Sequence, residues 1–285
     1  MKDNLEYKVL ARKYRPQTFA DLIGQEILVQ ILTNAIKSNR IANAYLLTGV
    51  RGVGKTTTAR LIAMSLNCEN RKETSCEPCG NCDSCNSIRS DHNLDVIEMD
   101  AASKTGVDDV REIIDNVKYK AVNSKFKIFI IDEVHMLSKS AFNALLKTLE
   151  EPPDHVKFIF ATTEVKKIPV TILSRCQRFD LKRVESENLA KHLKKISEQE
   201  KINIDDNAIA LLVRAGDGSV RDAISLLDQA IINNNINITA ETVTSMLGLA
   251  DRGKIYDLLE NITKGNVSES LNIFRDLYNS GADIL

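Results

Sequence analysis

Apolar residues follow two alternating patterns over the first 180 or so positions and a single pattern afterwards. Nearly unbroken apolar runs occur at Ala44–Thr48, Asp95–Met99, Lys127–Ile131 and Val156–Ala161. Each has the length and content of a strand buried on both faces. Between these runs, apolar residues recur at helical spacing: Ala59, Ile62, Ala63 and Leu66, then Val110, Ile113, Ile114 and Val117, then Phe142, Leu145, Leu146 and Leu149. Pro152–Pro153 closes the last of these faces. Apolar strands alternating with amphipathic helices predict an α/β domain, a parallel sheet covered by helices on both sides.

After Phe179 the strand pattern ends. Helical periodicity runs over about 185–201, 205–215, 219–233 and 239–247, with a break at Gly216 and Gly218, which predicts a small all-helical domain. A further helical stretch opens at Ala250, with Ile255, Leu258, Leu259 and Ile262 on one face. The sequence stops at Ile284–Leu285 inside that pattern, as a piece of a longer chain would. The expected domains are therefore 1–180, 181–247 and the start of a third, helical one at 248–285.

Composition narrows the function classes. With 43% hydrophobic and 27% charged residues, the 285-residue chain can bury a substantial core. Its net charge of −1 provides no general basic field, so any contact with DNA must come from a local patch or from partners. No apolar run approaches the roughly 20 residues of a membrane span, and the polar opening Met1–Tyr7 is unlike a secretory signal. A cytoplasmic protein is expected. Aromatic residues make up 5% and Trp is absent, which argues against a base-stacking platform for single strands.

The strongest chemical signal is Gly49-Val-Arg-Gly-Val-Gly-Lys55-Thr56, a match to G-x-x-x-x-G-K-[ST] between a predicted strand and a predicted helix. Gly49, Gly52 and Gly54 permit backbone conformations that point N–H groups at phosphate oxygens, and the helix that follows adds its positive end. Val53, Thr57 and these neighbours form the candidate nucleotide-contact set. Lys55 would reach the β- and γ-phosphates of ATP, and the Thr56 hydroxyl would ligate Mg²⁺. Chance alone gives such a match in roughly one chain in a hundred of this length.

A second element, Lys127-Ile-Phe-Ile-Ile-Asp132-Glu133-Val-His135, brings two carboxylates out at the C-terminal end of a strand, where α/β sheets place ligands. Asp132 would hold Mg²⁺ and Glu133 would polarise the attacking water. The string Asp-Glu-Val-His also resembles the DExH box of RNA helicases, but nothing after residue 180 supplies their second motor domain. Five of the six cysteines lie between Cys68 and Cys85, and Cys76, Cys79, Cys82 and Cys85 follow C-x₂-C spacing. Four thiolates at this spacing suit a structural Zn²⁺ better than an iron–sulfur cluster, whose bacterial run has a different last interval and a Pro. Spacing leaves Cys68 and Cys76 as alternatives for the fourth ligand. The segment is polar and reads as an exposed loop.

Further strings carry a family resemblance. Ala11-Arg-Lys-Tyr14-Arg15-Pro16 through Phe19, Asp21 and Gly24-Gln25 resembles the adenine-side segment of AAA+ clamp loaders. Ser174-Arg175-Cys176 resembles their Ser-Arg-Cys motif, and Gly218-Ser219-Val-Arg221-Asp222 their sensor-2 helix. A cysteine knuckle after the phosphate-loop helix is similar to that of the gamma/tau subunits of bacterial DNA polymerase III. The likeness covers about residues 8–250. It implies an AAA+ P-loop domain, a helical lid and the start of a collar-like domain.

The resemblance assigns Arg175 as an arginine finger acting in trans on a neighbour's ATP, worth roughly 10³–10⁵ in rate. It makes Arg221 a γ-phosphate sensor on a helix capped by Ser219, and Thr162 or Thr163 the sensor-1 group. It gives Cys68, Cys79, Cys82 and Cys85 as zinc ligands, with Cys76 extra. Other clamp-loader subunits, a sliding clamp and primer–template DNA are the implied partners. Lys104 and the helix start at Ser138–Lys139 are candidates for phosphate-backbone contact. No polymerase carboxylate site is visible. The competing functions are another AAA+ DNA motor, such as a branch-migration helicase or an initiator, and a non-hydrolysing zinc-containing scaffold.

Overall fold

A computed structural model describes residues 9–234, 237–248 and 252–279. The expectations resting on Met1–Tyr7, Ala250 and Ile284–Leu285 lie outside the described residues. The chain divides into two compact units: Arg12–Asn188 with Gly218–Arg221 in the larger, and the other described residues in the smaller.

Along the chain come α1 (Leu10–Lys13), α2 (Glu26–Lys37), β1 (Ala44–Thr48), α3 (Lys55–Asn67), α4 (Asp83–Arg89), β2 (Val96–Asp100), α5 (Val107–Val117), β3 (Lys127–Asp132), α6 (Lys139–Glu150), β4 (Val156–Thr162), α7 (Val170–Leu173) and β5 (Gln177–Asp180). The strands form one sheet in the order β2-β3-β4-β1-β5, and every neighbouring pair is parallel. All residues of β1 and β4 are buried. Their side chains alternate between two cores. Tyr45, Leu47, Ile128, Ile130, Ile159 and Ala161 meet Leu28 and Leu32 of α2 and Ala59, Ile62 and Leu66 of α3 on one side. Leu46, Phe129, Ile131, Phe158 and Phe160 meet Val110, Phe142, Leu145 and Ile172 on the other. The rings of Phe129, Phe158 and Phe160 stack along that second face with centroids 5.5 and 5.8 Å apart. Burying each such side chain contributes about 1.5–3 kcal/mol.

The order of strands positions the site. β4 lies between β1 and β3, so Thr162–Thr163 emerge between the loop that follows β1 and the carboxylates that end β3. Parallel strands put all three at the same edge of the sheet.

Two strand expectations need correction. β2 begins one residue late because Asp95 serves another purpose: its buried carboxylate accepts N–H groups from Val122, Asn123 and Ser124 at 2.7–2.8 Å. β5 was not expected. It pairs at the sheet edge, where only Phe179 of Gln-Arg-Phe-Asp is buried, so it lacks an apolar run. Thr48 donates a hydrogen bond to Asp180, joining the ends of β1 and β5.

The following elements are α8 (Ser186–Gln199), β6 (Asn203–Ile204), α9 (Asp206–Gly216), α10 (Val220–Asn234), β7 (Asn237–Ile238), α11 (Ala240–Met246), α12 (Arg252–Lys264) and α13 (Val267–Asn279). The expected all-helical region thus contains one short parallel pair, β6 with β7, two residues on each strand. Leu189, Leu193, Leu212, Ile224 and Leu227 are buried core residues of these helices. α12 and α13 pack on each other. The apolar face expected on α12 is present but exposed at Ile255, Leu259 and Ile262. Among the described residues, no helix is long and apolar enough to cross a membrane.

Candidate functional site

The loop after β1 turns on left-handed glycines. Gly54, at φ 98°, is the residue before α3, and a side chain there would force a backbone conformation L-residues rarely adopt. Gly49 also has positive φ, and a Cβ on it would stand 2.6 Å from the Leu181 carbonyl oxygen. The side chain of Val53, within this loop, is buried in the core. The Lys55 ammonium closes the turn by donating to the carbonyls of Gly49 and Val50 at 3.0 and 2.9 Å. Burial lowers its pKa, and the nearby charges of Glu133 and Asp132 partly offset that. The N–H of Arg221 donates to the Gly52 carbonyl at 3.2 Å, which ties this arginine's backbone to the same loop.

Opposite the loop, Thr56 donates its hydroxyl hydrogen to Asp132 Oδ2, while Asp132 Oδ1 accepts the Glu133 N–H at 2.9 Å. Glu133 adopts the left-handed conformation, φ 45° and ψ 43°, a strained choice for a residue with a side chain. Its carboxylate accepts from the Thr163 hydroxyl at 3.3 Å. Thr162 is fully buried, and its hydroxyl contacts His135 Nδ1 at 3.0 Å and accepts the Glu164 N–H at 3.0 Å. Of the two candidate threonines, Thr163 is the one on the open groove, which it lines with Val50, Arg51, Ala102, Glu133, His135 and Met136.

Other expected residues lie beside this group. The Thr57 hydroxyl accepts Arg15 Nε at 3.1 Å, a link across 42 residues. The Arg15 guanidinium has its pKa lowered first by burial and then by the like charges of Arg60 and, less strongly, Arg221. Arg15 lies in the Ala11–Gln25 segment, and no local spacing ties it to Thr57. Arg175 pairs with Glu150 Oε1 at 2.7 Å and donates to the Thr171 carbonyl at 2.6 Å, so its partners belong to the α6–α7 region and not to the loop. Lys104 is exposed on the turn before α5. The N–H of Ser138 donates to the Thr105 carbonyl at 3.3 Å, which brings that turn to the start of α6, where Ser138 Oγ accepts the Ala141 N–H at 3.2 Å.

The sulfur atoms of Cys68, Cys79, Cys82 and Cys85 all lie within 4.8 Å of one another. Zn–S bonds of about 2.3 Å in a tetrahedron set sulfurs about 3.8 Å apart, so this donor set fits Zn²⁺. Backbone N–H groups aim at the sulfurs: Cys79 N–H at Cys68, Asn81 and Cys82 N–H at Cys79, and Cys85 N–H at Cys82, over 3.2–3.4 Å. Such donors favour thiolates, and that of Asn81 leads in pulling the Cys79 thiol down to about 6. Burial pushes Cys85 and Cys68 up. Cys76 stands outside this group. It is buried against α2, where its sulfur accepts from the Thr33 hydroxyl at 3.1 Å. The expectation of an exposed loop is corrected: Cys76, Cys82 and Cys85 are buried, and Asp83–Arg89 is helical. The polar residues between the cysteines hid a segment whose thiols face the core.

A model described as DNA polymerase III, delta subunit, matches residues 24–185. The ATPase lid domain of the DNA polymerase III clamp loader subunit matches 188–235, and domain III of DNA polymerase III subunits gamma and tau matches 238–285. DNA polymerase III subunit tau/gamma of Haemophilus influenzae is 50% identical over 92% of this chain and 38% of its own length. Subunit tau of Escherichia coli is 50% identical over 92% of this chain and 40% of its own. Subunit gamma of Buchnera aphidicola (Acyrthosiphon pisum) is 44% identical over 98% of this chain and 77% of its own. The chain thus spans about two fifths of the length of the longer relatives. Among solved structures, the Thermotoga maritima RuvB Holliday junction branch migration motor superimposes with a TM-score of 0.58 at 19% identity, covering 87% of this chain and 79% of that one, a likeness of AAA+ fold alone. Sequence kinship and the loop–carboxylate arrangement agree: the chain belongs to the DNA polymerase III gamma/tau family.

Proposed function

We propose that this chain is the ATP-hydrolysing part of a motor subunit of the bacterial DNA polymerase III clamp loader, which places a sliding clamp on primed DNA. The observation that carries the reading is the meeting of Thr56 with Asp132 beside Lys55 and Glu133, the phosphate, metal and water groups that phosphoryl transfer to water uses within one chain. Lys55 exchanges the Gly49 and Val50 carbonyls for the β- and γ-phosphates of ATP. Thr56 and Asp132 hold Mg²⁺, which when bound neutralises phosphate charge. Glu133 orients and polarises water, Thr163 beside it is the sensor-1 group, and Arg221 reads the γ-phosphate from the lid helix. Arg175, paired with Glu150 away from its own loop, serves the ATP of a neighbouring subunit.

The four-thiolate set Cys68, Cys79, Cys82 and Cys85 takes a structural Zn²⁺; with every ligand place filled by protein, it has no catalytic part. The domains divide as 1–180, 181–247 and 248 onward, the last the start of a collar through which the chain joins other subunits. Lys104 and Lys139 lie on adjoining segments suited to the DNA backbone. The protein acts in the cytoplasm and performs no nucleotidyl transfer of its own.

The test is reconstitution of the full-length protein with its partner subunits, following ATP hydrolysis and clamp retention on circular primed DNA. Turnover should rise when clamp and primed DNA are both present, and the clamp should stay on the circle. Turnover that ignores both, with no clamp retained, would reject the clamp-loader assignment in favour of another motor of this fold.

A further inference from the structure

His135 is the one polar residue of the Asp-Glu-Val-His string to which the hydrolysis scheme gives no task. Its side chain is only 7% exposed and is held from three directions. Nδ1 lies 3.0 Å from the fully buried Thr162 hydroxyl and 3.4 Å from Glu133 Oε2, and Nε2 lies 3.4 Å from Glu164 Oε1. The Thr162 hydroxyl is itself fixed by the Glu164 N–H, and Glu164 Oε1 by Lys167 Nζ at 2.8 Å. The ring is therefore a rigid post between the ends of β3 and β4.

Glu133 needs such a post. Its backbone is left-handed, and its side chain is 31% exposed and has three rotatable bonds. Besides the imidazole, that carboxylate meets the exposed Thr163 hydroxyl, which donates to it at 3.3 Å. A carboxylate that polarises water contributes only while it is aimed, and a displacement of about 1 Å can cost on the order of 100-fold in rate. Contacts of 3.3–3.4 Å guide the carboxylate while leaving its oxygens able to bond water.

We infer that His135 is a positioning residue for hydrolysis: it aims the Glu133 carboxylate, with Thr162 and Glu164 fixing the ring. The inference rests on the ATPase reading and adds to it a residue that does not touch ATP. The Asp-Glu-Val-His string then has a reason other than helicase chemistry. The same post joins Glu133 to Glu164, whose chain continues through the 165–167 turn to α7 and Arg175.

The test uses the full-length protein in its assembly, comparing wild type, His135→Ala, His135→Asn, Glu133→Gln and the Glu133→Gln/His135→Ala double variant. ATP affinity is read by equilibrium binding, and kcat by phosphate release at saturating ATP. His135→Ala should lower kcat by about 10–100-fold with ATP affinity kept within about twofold. His135→Asn, whose amide can stand near the Nδ1 position, should recover most of that loss. Adding His135→Ala to Glu133→Gln should lower turnover no further, because both act through one carboxylate. An unchanged kcat in His135→Ala, an equal loss in the Asn variant, or full additivity in the double variant would overturn the role. Full turnover in Glu133→Gln would also overturn it, by removing Glu133 from hydrolysis, whereas a wild type without turnover would instead reject the ATPase reading beneath it.

Discussion

Thr56 and Asp132, 76 positions apart, share a hydrogen bond at the carboxyl edge of the sheet, which brings together the two oxygens proposed for the metal. Thr56 sits in the first turn of α3 and Asp132 ends β3. The bond therefore records that β3 and the loop after β1 have been brought into register across β4.

Removing that hydroxyl should weaken metal use more than folding. Thr56→Val is expected to raise the Mg²⁺ needed for half-maximal ATP turnover by about 10–100-fold, while Thr56→Ser stays near wild type. Titrating Mg²⁺ at saturating ATP checks this. Equal Mg²⁺ requirement in all three proteins would remove Thr56 from the metal site.

The knuckle separates a group of four thiols from a fifth, buried one. Elemental analysis should find one zinc per chain in the wild type and in Cys76→Ser, and a large loss in Cys79→Ser and Cys82→Ser. Cys76→Ser should lower stability only modestly, because the more polar hydroxyl is buried beside α2 but keeps the Thr33 hydroxyl as a partner. Zinc loss on changing Cys76 would contradict the assignment.

Asp95 gives a pH signature. Burial alone pushes its carboxyl up, but the N–H groups of Val122, Asn123 and Ser124 together hold it below the ordinary 3.8. A carboxyl depressed in the folded state contributes stability above its unfolded pKa and loses it as pH falls through the folded one. Asp95→Asn turns one of the two acceptor oxygens into an NH₂ that faces one or two of the three donors and should cost about 1–3 kcal/mol at pH 7. In urea unfolding, that gap should hold above about pH 4 and shrink below it. A gap independent of pH would mean that the carboxylate charge plays no part.

Arg175 should work across a subunit boundary. In the assembled full-length protein, Arg175→Ala and Lys55→Ala should each lose turnover by at least about 10³-fold, and mixing them should restore part of it. The mixture pairs an intact loop in one chain with an intact arginine in the other. No recovery in mixed assemblies that bind ATP would place the role of Arg175 within its own subunit.

Much of this was legible in the residues, for physical reasons that also explain the gaps. β1, β3 and β4 are central and buried on both faces, so each reads as an unbroken apolar run. β5 is an edge strand needing only Phe179 inside, and its Gln, Arg and Asp read as loop. The phosphate loop is local in sequence and its backbone demands glycine, which makes it plain. The bonds from Arg15 to Thr57 and from His135 to Thr162 join separate elements, and no spacing encodes them. Cys76 shares its neighbours' C-x₂-C interval, so only its burial against α2 sets it apart from Cys68.

The central claim is that Lys55, Thr56, Asp132 and Glu133 hydrolyse ATP. The most direct measurement is phosphate release by the assembled full-length protein, wild type against Glu133→Gln, at matched ATP occupancy. The account predicts ATP binding within about twofold of wild type and turnover lowered by about 10²–10⁴-fold in the variant. Turnover retained at the wild-type level with Glu133 replaced would contradict it.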